Sequence, residues 1–483
     1  MKTVLPLLGL VAALLAPGCS TPPPAASRVA PVAPAPHSRA IETALDRYVA
    51  TPDPAYTWKA LPSASAGGVT VTPIDLVSQT WLTPGEVNRT TWRHWLMVFR
   101  PEKVESSTAL LFISGGSNRD QQPPKPSEQV AAIAQATKSV VAELRMVPNQ
   151  PLVFHGDGEE RVEDNLIAYT WDRYLRTGDD RWPARLPMTK AAVRAMDTLT
   201  AFTASPAGGG RAVDSFLVAG ASKRGWTTWT TAIVDRRVVA ICPIVIDVLN
   251  MEQSMLHHYQ AYGFYAPAVG DYVRQGIMNW MGAPEMNSLR RIEDPFEYRD
   301  RLALPKLLMN ACGDQFFLPD SSQFYFEQLP GVKYLRYVPN ADHSMRGSDA
   351  YETLAAWHHA TLSKAPLPRF TWQNEADGSI RVRVQDRPRT VRLWQATNPG
   401  ARDFRLEATG PAWWATGLEE SEPGVYVGRA TAPSRGWTAY LVELTYDLGG
   451  PTPIKFTTQV RVTPQNLPHA RPSAPPPRGF LRR

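Results

Sequence analysis

The sequence is poor in cysteine: it has three in 483 residues, and only Cys242 and Cys312 follow position 19. Both lie in apolar, strand-like runs, which argues against a disulfide framework or a cysteine-based metal site and predicts buried free thiols. Long runs of Lys or Arg are also missing. The 51 basic and 45 acidic residues give a net charge of only +6, so nucleic-acid binding is not expected.

Long apolar runs are missing outside the N-terminus, so no transmembrane helix is predicted. Residues 1–19, MKTVLPLLGLVAALLAPGC, join Lys2 to a short apolar run and small residues, a pattern typical of an export signal. The last four letters resemble a bacterial lipobox, although Ala16 and Pro17 replace the usual Leu-Ala pair, and they make Cys19 the predicted lipidation site. We therefore expect an exported protein of the cell envelope or periplasm, held on a membrane through a lipid anchor only, with ordinary secretion as the alternative.

The rest of the chain divides by composition and by hydrophobic period. Apolar runs that alternate with helical patterns predict an α/β domain with a mostly parallel, doubly wound sheet, and a Met- and Tyr-rich helical segment inside it predicts a cap. Later runs with a period of two predict an all-β, immunoglobulin-like sandwich. The predicted units are a Pro/Ala-rich linker at 20–39, the α/β domain at 40–366 with its cap at 248–300, the sandwich at 367–465 and a disordered tail at 466–483.

The stretch VDSFLVAGASKRGWTTW, residues 213–229, predicts a strand, a sharp turn and a helix, with Ser222 on the turn. A serine in such an elbow is pushed out of the top of the sheet, and small neighbours let the backbones pass closely. Gly225 stands one residue later than the second glycine of the common G-x-S-x-G pattern. Ser222 is the predicted nucleophile.

Polar residues follow the later strands of the predicted sheet, at the edge where ligands collect in α/β proteins. Asp247, Asp314 and His343 each end an apolar run, and the order serine, acid, histidine is that of α/β-hydrolases. We predict a triad of Ser222, Asp314 and His343, with Asp247 as the alternative acid. Asp320 is a further rival, although its position favours the N-cap of a helix at 321–329.

An oxyanion hole requires two backbone N–H groups, one after the nucleophile and one from an earlier loop. The first is predicted at Lys223. The second is predicted at Gly116 or Ser117, because the glycines of SGGSN, residues 114–118, permit an unusual backbone. The alternative is an ordinary glycine turn.

Several residues have both a binding and a structural interpretation. Lys223 and Arg224 oppose the dipole of the predicted helix, so they either favour an anionic substrate group or pair with acidic neighbours. Aromatic residues of the cap either form a substrate pocket or belong to the core. The pocket candidates are Tyr259, Tyr262, Tyr265 and Trp280, with Tyr259, Tyr262 and Arg224 as the predicted substrate-binding residues. Trp413 and Trp414 are candidates for sugar binding or for packing. The pair His257-His258 lacks an H-E-x-x-H frame, so no metal site is predicted.

Four long strings resemble the PhoPQ-activated pathogenicity-related protein family, the PqaA type. They are GASKRGW at 220–226, CPIVIDVLNM at 242–251, DPFEYRDRLALPKLLMNACGDQFFLPDSS at 294–322 and LPGVKYLRYVPNADHS at 329–344. The resemblance covers most of residues 40–365, and it implies an α/β-hydrolase-like fold with Ser222, Asp314 and His343 as the catalytic residues. The elbow is also similar to the G-C-S-R-x-G of glucuronoyl esterases, with Ala221 and Lys223 in place of the Cys and the Arg.

The sequence thus predicts an exported serine hydrolase that cleaves an ester or amide of a small-molecule or peptide substrate without a cofactor or metal. An esterase is slightly favoured. A prolyl-peptidase-like enzyme and a sugar-acid esterase are alternatives within this class. The alternative from another class is an inactive hydrolase-fold protein that binds or signals. The sequence predicts no oligomeric state.

Overall fold

The computed structural model describes residues 42–364, 366–473 and 475–481. The predicted signal peptide, the lipidation site Cys19 and the whole linker lie outside the described residues. The described residues belong to one compact unit. None of the helices in these ranges is long and apolar enough to cross a membrane.

The strands are numbered in chain order. They are β1 (Thr57–Ala60), β2 (Ala64–Ala66), β3 (Val69–Thr80), β4 (Thr91–Pro101), β5 (Thr108–Ile113), β6 (Val141–Leu144), β7 (Ser215–Ala221), β8 (Val238–Ile244), β9 (Lys306–Ala311), β10 (Lys333–Val338), β11 (Phe370–Asn374), β12 (Ile380–Val384), β13 (Thr390–Asn398), β14 (Trp414–Gly417), β15 (Glu420–Glu422), β16 (Val425–Gly428), β17 (Trp437–Tyr446), β18 (Ile454–Thr457) and β19 (Arg461–Thr463).

The α-helices are numbered in the same way. They are α1 (Ala44–Ala50), α2 (Glu128–Thr137), α3 (Glu163–Thr177), α4 (Arg185–Ala204), α5 (Lys223–Val234), α6 (Met251–Tyr262), α7 (Gly270–Arg274), α8 (Pro284–Glu293), α9 (Ala350–Ser363) and α10 (Leu406–Thr409). Short 3-10 turns complete several loops, and the largest of them is Pro295–Arg301.

The central sheet has a parallel core in the order β6-β5-β7-β8-β9-β10. Its strands are nearly continuous apolar runs, because helices cover both faces: α3, α4 and α5 contribute to one core, and α2 and α9 contribute to the other. The long strands β3 and β4 pair antiparallel and extend the β6 edge. The predicted α/β-hydrolase fold is therefore confirmed.

The cap lies between β8 and β9, where the sequence predicted it. It consists of α6, α7 and α8 with 3-10 turns at Pro267–Val269 and Ile277–Trp280. After β9, the helix predicted at 321–329 is replaced by two 3-10 turns, Ser321–Phe324 and Phe326–Gln328. Asp320 precedes the first of these turns, but its side chain makes no capping hydrogen bond there.

The C-terminal strands form two antiparallel sheets that pack face to face. One is a separate sheet in the order β11-β12-β16-β15, and the other joins the central sheet through a bridge between β10 and β18, Leu335 to Thr457. At this junction the Arg336 guanidinium donates to Glu443 Oε2 at 2.6 Å, and both side chains are buried. The sheet that supports the predicted active site thus continues into the C-terminal strands.

The described part of the predicted disordered tail contacts the rest of the fold. The Phe480 ring lies edge-on to the Tyr174 ring, with centroids 5.6 Å apart, and the His469 N–H donates to the Gln260 carbonyl at 3.1 Å. Residues 466–473 and 475–481 contain no helix or strand. An apolar anchor near the chain end, Phe480, accounts for this difference from the prediction.

Candidate active site

Ser222 lies on the turn that the sequence predicted, between the end of β7 and the start of α5. Its backbone has φ 59° and ψ −128°, which is unusual for a residue other than glycine, and its N–H donates to the Ile244 carbonyl at 2.8 Å. A Cβ on Gly225 would lie 2.9 Å from the carbonyl oxygens of both Gly220 and Ile244. Gly225 therefore permits the close approach of helix and sheet, although it stands one residue later than in the common pattern.

Asp314 and His343 are joined as the triad requires. His343 Nδ1 is 2.9 Å from Asp314 Oδ1 and 2.8 Å from Oδ2, and because an ionised carboxylate only accepts hydrogen bonds, Nδ1 carries the hydrogen. Asp314 Oδ1 also accepts from the N–H of Phe316 at 2.7 Å, which fixes the carboxylate. His343 Nε2 is buried and has no hydrogen-bond partner among the described residues. This nitrogen is left as an unpaired proton acceptor.

The hydroxyl of Ser222 makes no hydrogen bond to any described residue, so the link to His343 Nε2 is not made in this structure. The ring of Phe316 lies against the imidazole, with centroids 4.2 Å apart. Phe316 and Ser222 line the same cavity. The structure therefore brings Asp314 and His343 together, with Phe316 in contact with both the imidazole and the cavity of Ser222.

The rival acids Asp247 and Asp320 have other partners. Tyr325 and Tyr337 each donate a hydroxyl hydrogen to Asp247, at 2.5 Å to Oδ1 and 2.5 Å to Oδ2. Burial raises the pKa of Asp247 to about 8, despite these two hydrogen bonds. Asp320 contacts His257 Nε2 at 3.1 Å and accepts from Arg402 at 2.6 Å. Neither acid has a hydrogen bond to His343 within the described residues.

Two of the three predicted oxyanion donors are free. The backbone N–H groups of Lys223 and Gly116 have no hydrogen-bond partner in the described part of the chain. The N–H of Ser117 donates to Asp120 Oδ2 at 3.1 Å, so it is occupied. Gly116 has φ +146°, a backbone that residues with a side chain rarely adopt. Lys223 and Gly116 are thus the candidate donors, and Ser117 is not.

The side chains of Lys223 and Arg224 pair with acidic residues at the start of α3. Lys223 Nζ is 2.8 Å from Glu163 and 3.1 Å from Asp164, and the Arg224 guanidinium donates two hydrogen bonds to Glu163, at 2.8 and 2.6 Å. Burial alone raises the pKa of Glu163, but the hydrogen bonds and charges of both cations outweigh it and hold that pKa well below its ordinary range. This pairing agrees with the structural interpretation of Arg224, and its role in substrate binding stays a prediction.

Arg224 also contacts the loop that carries the second oxyanion donor. Its Nε donates to the Val147 carbonyl at 2.5 Å, and a Cβ on Gly115 would lie only 2.8 Å from Nη2. Glu163 itself has φ +50°, and its N–H donates to Gln150 Oε1 at 2.7 Å. Glu163 therefore connects the first turn of α5 to the 115–116 loop through a single arginine side chain.

A small cavity of about 50 Å³ adjoins Ser222 under the cap. Its walls include Met251 and Met255 from α6, Met278 and Phe316. Tyr259 and Tyr262, the predicted substrate-binding tyrosines, do not line it. Tyr262 is buried beside the Arg405 guanidinium, 5.2 Å from its ring centroid, and Tyr259 packs on Tyr265 with centroids 5.1 Å apart. The two tyrosines thus pack against other side chains, and their role in substrate binding stays a prediction.

The profile of the PhoPQ-activated pathogenicity-related protein family matches residues 45–405. The chain belongs to this family. It is 35% identical to Autocrine proliferation repressor protein A of Dictyostelium discoideum over 455 residues, which cover 88% of this chain and 91% of that protein. Among solved structures, acetyl xylan esterase 1 from Thermoanaerobacterium sp. JW/SL YS485 is 14% identical with a TM-score of 0.45, covering 66% of this chain and 92% of that one. The glucuronoyl esterase from Solibacter usitatus is 16% identical with a TM-score of 0.37, covering 66% of this chain and 91% of that one.

The remaining candidates in this family member differ in burial. Cys242 and Cys312 are buried free thiols, as predicted. Trp280 is fully buried, and Trp413 is buried while Trp414 is 53% exposed. Within the three described ranges, no group of three or more His, Cys, Asp or Glu side chains is arranged to hold a metal ion.

Sequence reasoning missed Glu163, Asp164 and the walls of the cavity. The acidic pair in VEDN, residues 162–165, is a signal that could have been matched to Lys223 and Arg224, because two adjacent cations at a helix start call for nearby anions. The wall residues carry no comparable signal, since methionines at helical spacing are also typical of a core.

Proposed function

We propose that this family member is a serine hydrolase that cleaves an ester or amide bond through an acyl-enzyme. The observation that carries the proposal is the state of His343. Its Nδ1 is held by Asp314, and its Nε2 is buried and unpaired within the described residues, while Ser222 stands on the elbow between β7 and α5. An orienting acid, an unpaired ring nitrogen and a hydroxyl that borders a cavity are the parts of nucleophilic catalysis by serine.

The chemistry uses groups of this chain and water. Ser222 Oγ bonds to the carbonyl carbon as its proton passes to His343 Nε2, and Asp314 stabilises the charged imidazolium. The N–H groups of Lys223 and Gly116 hold the negative oxygen of the tetrahedral intermediate. That intermediate collapses as the bond to the leaving group breaks and Nε2 returns the proton to it. Water then attacks the acyl-enzyme as its proton passes to His343 Nε2. The second tetrahedral intermediate collapses, which releases the carboxylic acid and returns the proton to Ser222 Oγ.

The hydrogen bond between Ser222 Oγ and His343 Nε2 forms in the substrate complex under this proposal. Catalytic hydrogen bonds are often long in the free enzyme and shorten when the substrate binds. We expect the side chain of Phe316 to move when this bond forms, because its ring lies on the imidazole and lines the cavity of Ser222.

Labelling with a fluorophosphonate probe tests the proposal. The folded wild type is expected to react, and Ser222→Ala is expected to lose the label. Ser344→Ala is the matched control, because Ser344 is an exposed serine next to His343 and is not part of the proposed mechanism. A wild-type protein that is folded and remains unlabelled would contradict the proposal.

Within this class we favour an esterase, with a peptidase and a sugar-acid esterase as the alternatives. The second candidate function is that of an inactive hydrolase-fold protein that binds a partner or signals. It is favoured by the name of the Dictyostelium relative, a proliferation repressor, and by the absence of a Ser222 hydrogen bond within the described residues. The labelling experiment separates the two, since an inactive binder stays unlabelled.

We also propose export to the cell envelope or periplasm with a lipid on Cys19, and secretion as the alternative. Both rest on the N-terminal sequence alone. Metabolic labelling with a radioactive fatty acid tests the anchor. Incorporation that is lost in Cys19→Ser is expected, and an unlabelled wild type in the soluble fraction would favour secretion.

A further inference from the structure

Two hollows lie beside the proposed catalytic residues, and they differ in size. The cavity under the cap, about 50 Å³, is lined by Ser222 but not by His343. The second hollow is a cleft of about 460 Å³, and it is lined by His343 and Ala221 but not by Ser222. Each proposed reacting side chain therefore borders a hollow of its own.

Most of the side chains that line the small cavity are apolar. They include Met251, Met255, Ile277, Met278, Phe316 and Phe317. Met251, Met255 and Ile277 are at most 6% exposed, so these walls belong to the protein interior. An apolar wall of this kind favours the binding of a hydrocarbon group, because it offers few hydrogen-bond partners to a polar group.

The charged side chains of the cavity are paired with each other or with neighbours. Lys223 Nζ contacts Asp164 at 3.1 Å, and Asp164 also accepts from the Tyr272 hydroxyl at 3.1 Å. Arg185 donates to Glu293 at 3.2 Å and to the Lys223 carbonyl at 2.7 Å. A carboxylate on the substrate would have to displace one of these internal partners. The cavity therefore favours a neutral group.

The volume limits the length of that group. An apolar cavity of about 150 Å³ holds benzene, which has six carbons. The cavity here has about one third of that volume. It fits a chain of about two to four carbons, if the methionine side chains adjust slightly.

We propose that the cavity lined by Ser222 binds the acyl part of the substrate, and that this part is a neutral, short acyl group of two to four carbons. The inference rests on the proposed serine hydrolase function. The leaving group receives its proton from His343, so it must lie next to the imidazole ring of that residue. The hollow that borders Ser222 without bordering His343 is therefore the acyl site, and the wide cleft beside His343 accommodates a larger leaving group.

Rates on matched esters test the inference with the full chain. On p-nitrophenyl acetate, butyrate and octanoate, kcat/KM is expected to be at least about tenfold lower for octanoate than for the better of the short esters, since single methylenes already change such values severalfold. Ethyl butyrate and monoethyl succinate have acyl chains of the same length, and the charged ester is expected to react at least about tenfold more slowly. The methyl ester of glucuronic acid tests a sugar-acid acyl group and is expected to react more slowly than ethyl butyrate.

A pair of cap variants tests the location. Met255→Ala enlarges the cavity and is expected to raise the octanoate-to-butyrate ratio of kcat/KM about tenfold. Met286→Ala is the control, because Met286 is fully buried in α8 of the same cap but does not line the cavity. It is expected to leave the ratio within about twofold. Because a ratio is measured on one preparation, partial loss of folded protein cancels.

The outcomes distinguish this inference from the function on which it rests. Equal or faster cleavage of octanoate, succinate or glucuronate esters would overturn the short neutral acyl group while leaving the hydrolase proposal intact. A ratio that changes as much in Met286→Ala as in Met255→Ala would overturn the assignment of the cavity. If no ester reacts and the fluorophosphonate probe does not label Ser222, the proposed function itself fails.

Discussion

Replacing Glu163 with glutamine removes the negative charge that Lys223 and Arg224 share at the start of α5. Lys223 keeps Asp164 as a charged partner, whereas Arg224 loses its carboxylate and keeps only neutral acceptors, which are the amide oxygen of the new glutamine and the Val147 carbonyl. Hydrogen bonds to a charged group contribute about 1.5–3 kcal/mol each. The Glu163 side chain is 39% exposed, and solvent screens part of this. We therefore expect Glu163→Gln to lower the free energy of unfolding by about 2 kcal/mol.

The same substitution is expected to lower kcat more than it changes KM. Arg224 contacts the 115–116 loop, so its release displaces the N–H of Gly116, which is a proposed oxyanion donor. Loss of one such donor lowers kcat by about 10²–10³, and displacement without removal is expected to lower it by about 10–100-fold. The donor acts on the transition state, so KM is expected to stay within about threefold.

The assay compares kcat and KM on a short ester with thermal unfolding of the same preparation. Asp349→Asn is the matched control, because Asp349 also bridges a buried arginine and a lysine: Arg336 at 3.1 Å and Lys455 at 2.6 Å. It is expected to destabilise the protein while kcat remains within about threefold of the wild-type value. If Glu163→Gln is destabilised like the control and retains wild-type kcat, Glu163 has a structural role only, and the connection to the oxyanion hole is refuted.

Three further predictions follow from the surroundings of the proposed triad. Asp314→Asn is expected to lower kcat by about 10³–10⁴, since the acid orients His343, whereas Asp247→Asn, assayed in parallel, should lower it far less. Asp247 keeps its proton up to about pH 8 in the folded chain but loses it near pH 4 when unfolded, so it makes the wild type less stable as pH rises between these values. Denaturant titrations at pH 5 and pH 8 should show that Asp247→Asn weakens this dependence, and an unchanged slope would contradict the buried neutral carboxyl. Gly116→Ala is expected to lower kcat, because φ +146° disfavours a side chain and the new Cβ would lie 3.2 Å from the Met146 nitrogen. Wild-type kcat in this variant would contradict the requirement for glycine at this position.

The strands, the elbow and the order of the polar strand ends were accessible from the sequence. Apolar runs that alternate with helical patterns fix a parallel sheet, and parallel strands deliver their ends to one edge. The choice of Asp314 over Asp247 was only a ranking, because both residues end neighbouring strands. The contacts that separate them, with His343 for Asp314 and with Tyr325 and Tyr337 for Asp247, depend on side-chain directions that no local pattern encodes.

Other features depend on contacts between distant parts of the chain. Glu163 and Arg224 are 61 residues apart, and their pairing follows from the packing of α3 beside α5. The tyrosines of the cap and its cavity-lining methionines both recur at three or four residues, so the hydrophobic period alone could not decide which of them line the cavity of Ser222. The junction of β10 with β18 joins segments that were predicted as parts of two domains, because a period of two identifies a strand but not its neighbour.

The junction between β10 and β18 has a consequence for how this protein can change. An open outer edge on β10 would expose unpaired backbone groups, and such edges recruit strands from other molecules. The C-terminal strands cover that edge and place a buried Arg336–Glu443 pair across it. Loss of these strands would therefore expose an unpaired strand edge and remove the buried Glu443 carboxylate, which would leave Asp349 as the remaining described carboxylate partner of Arg336. The α/β domain and the C-terminal strands must therefore be kept or replaced together, unless the edge of β10 is redesigned.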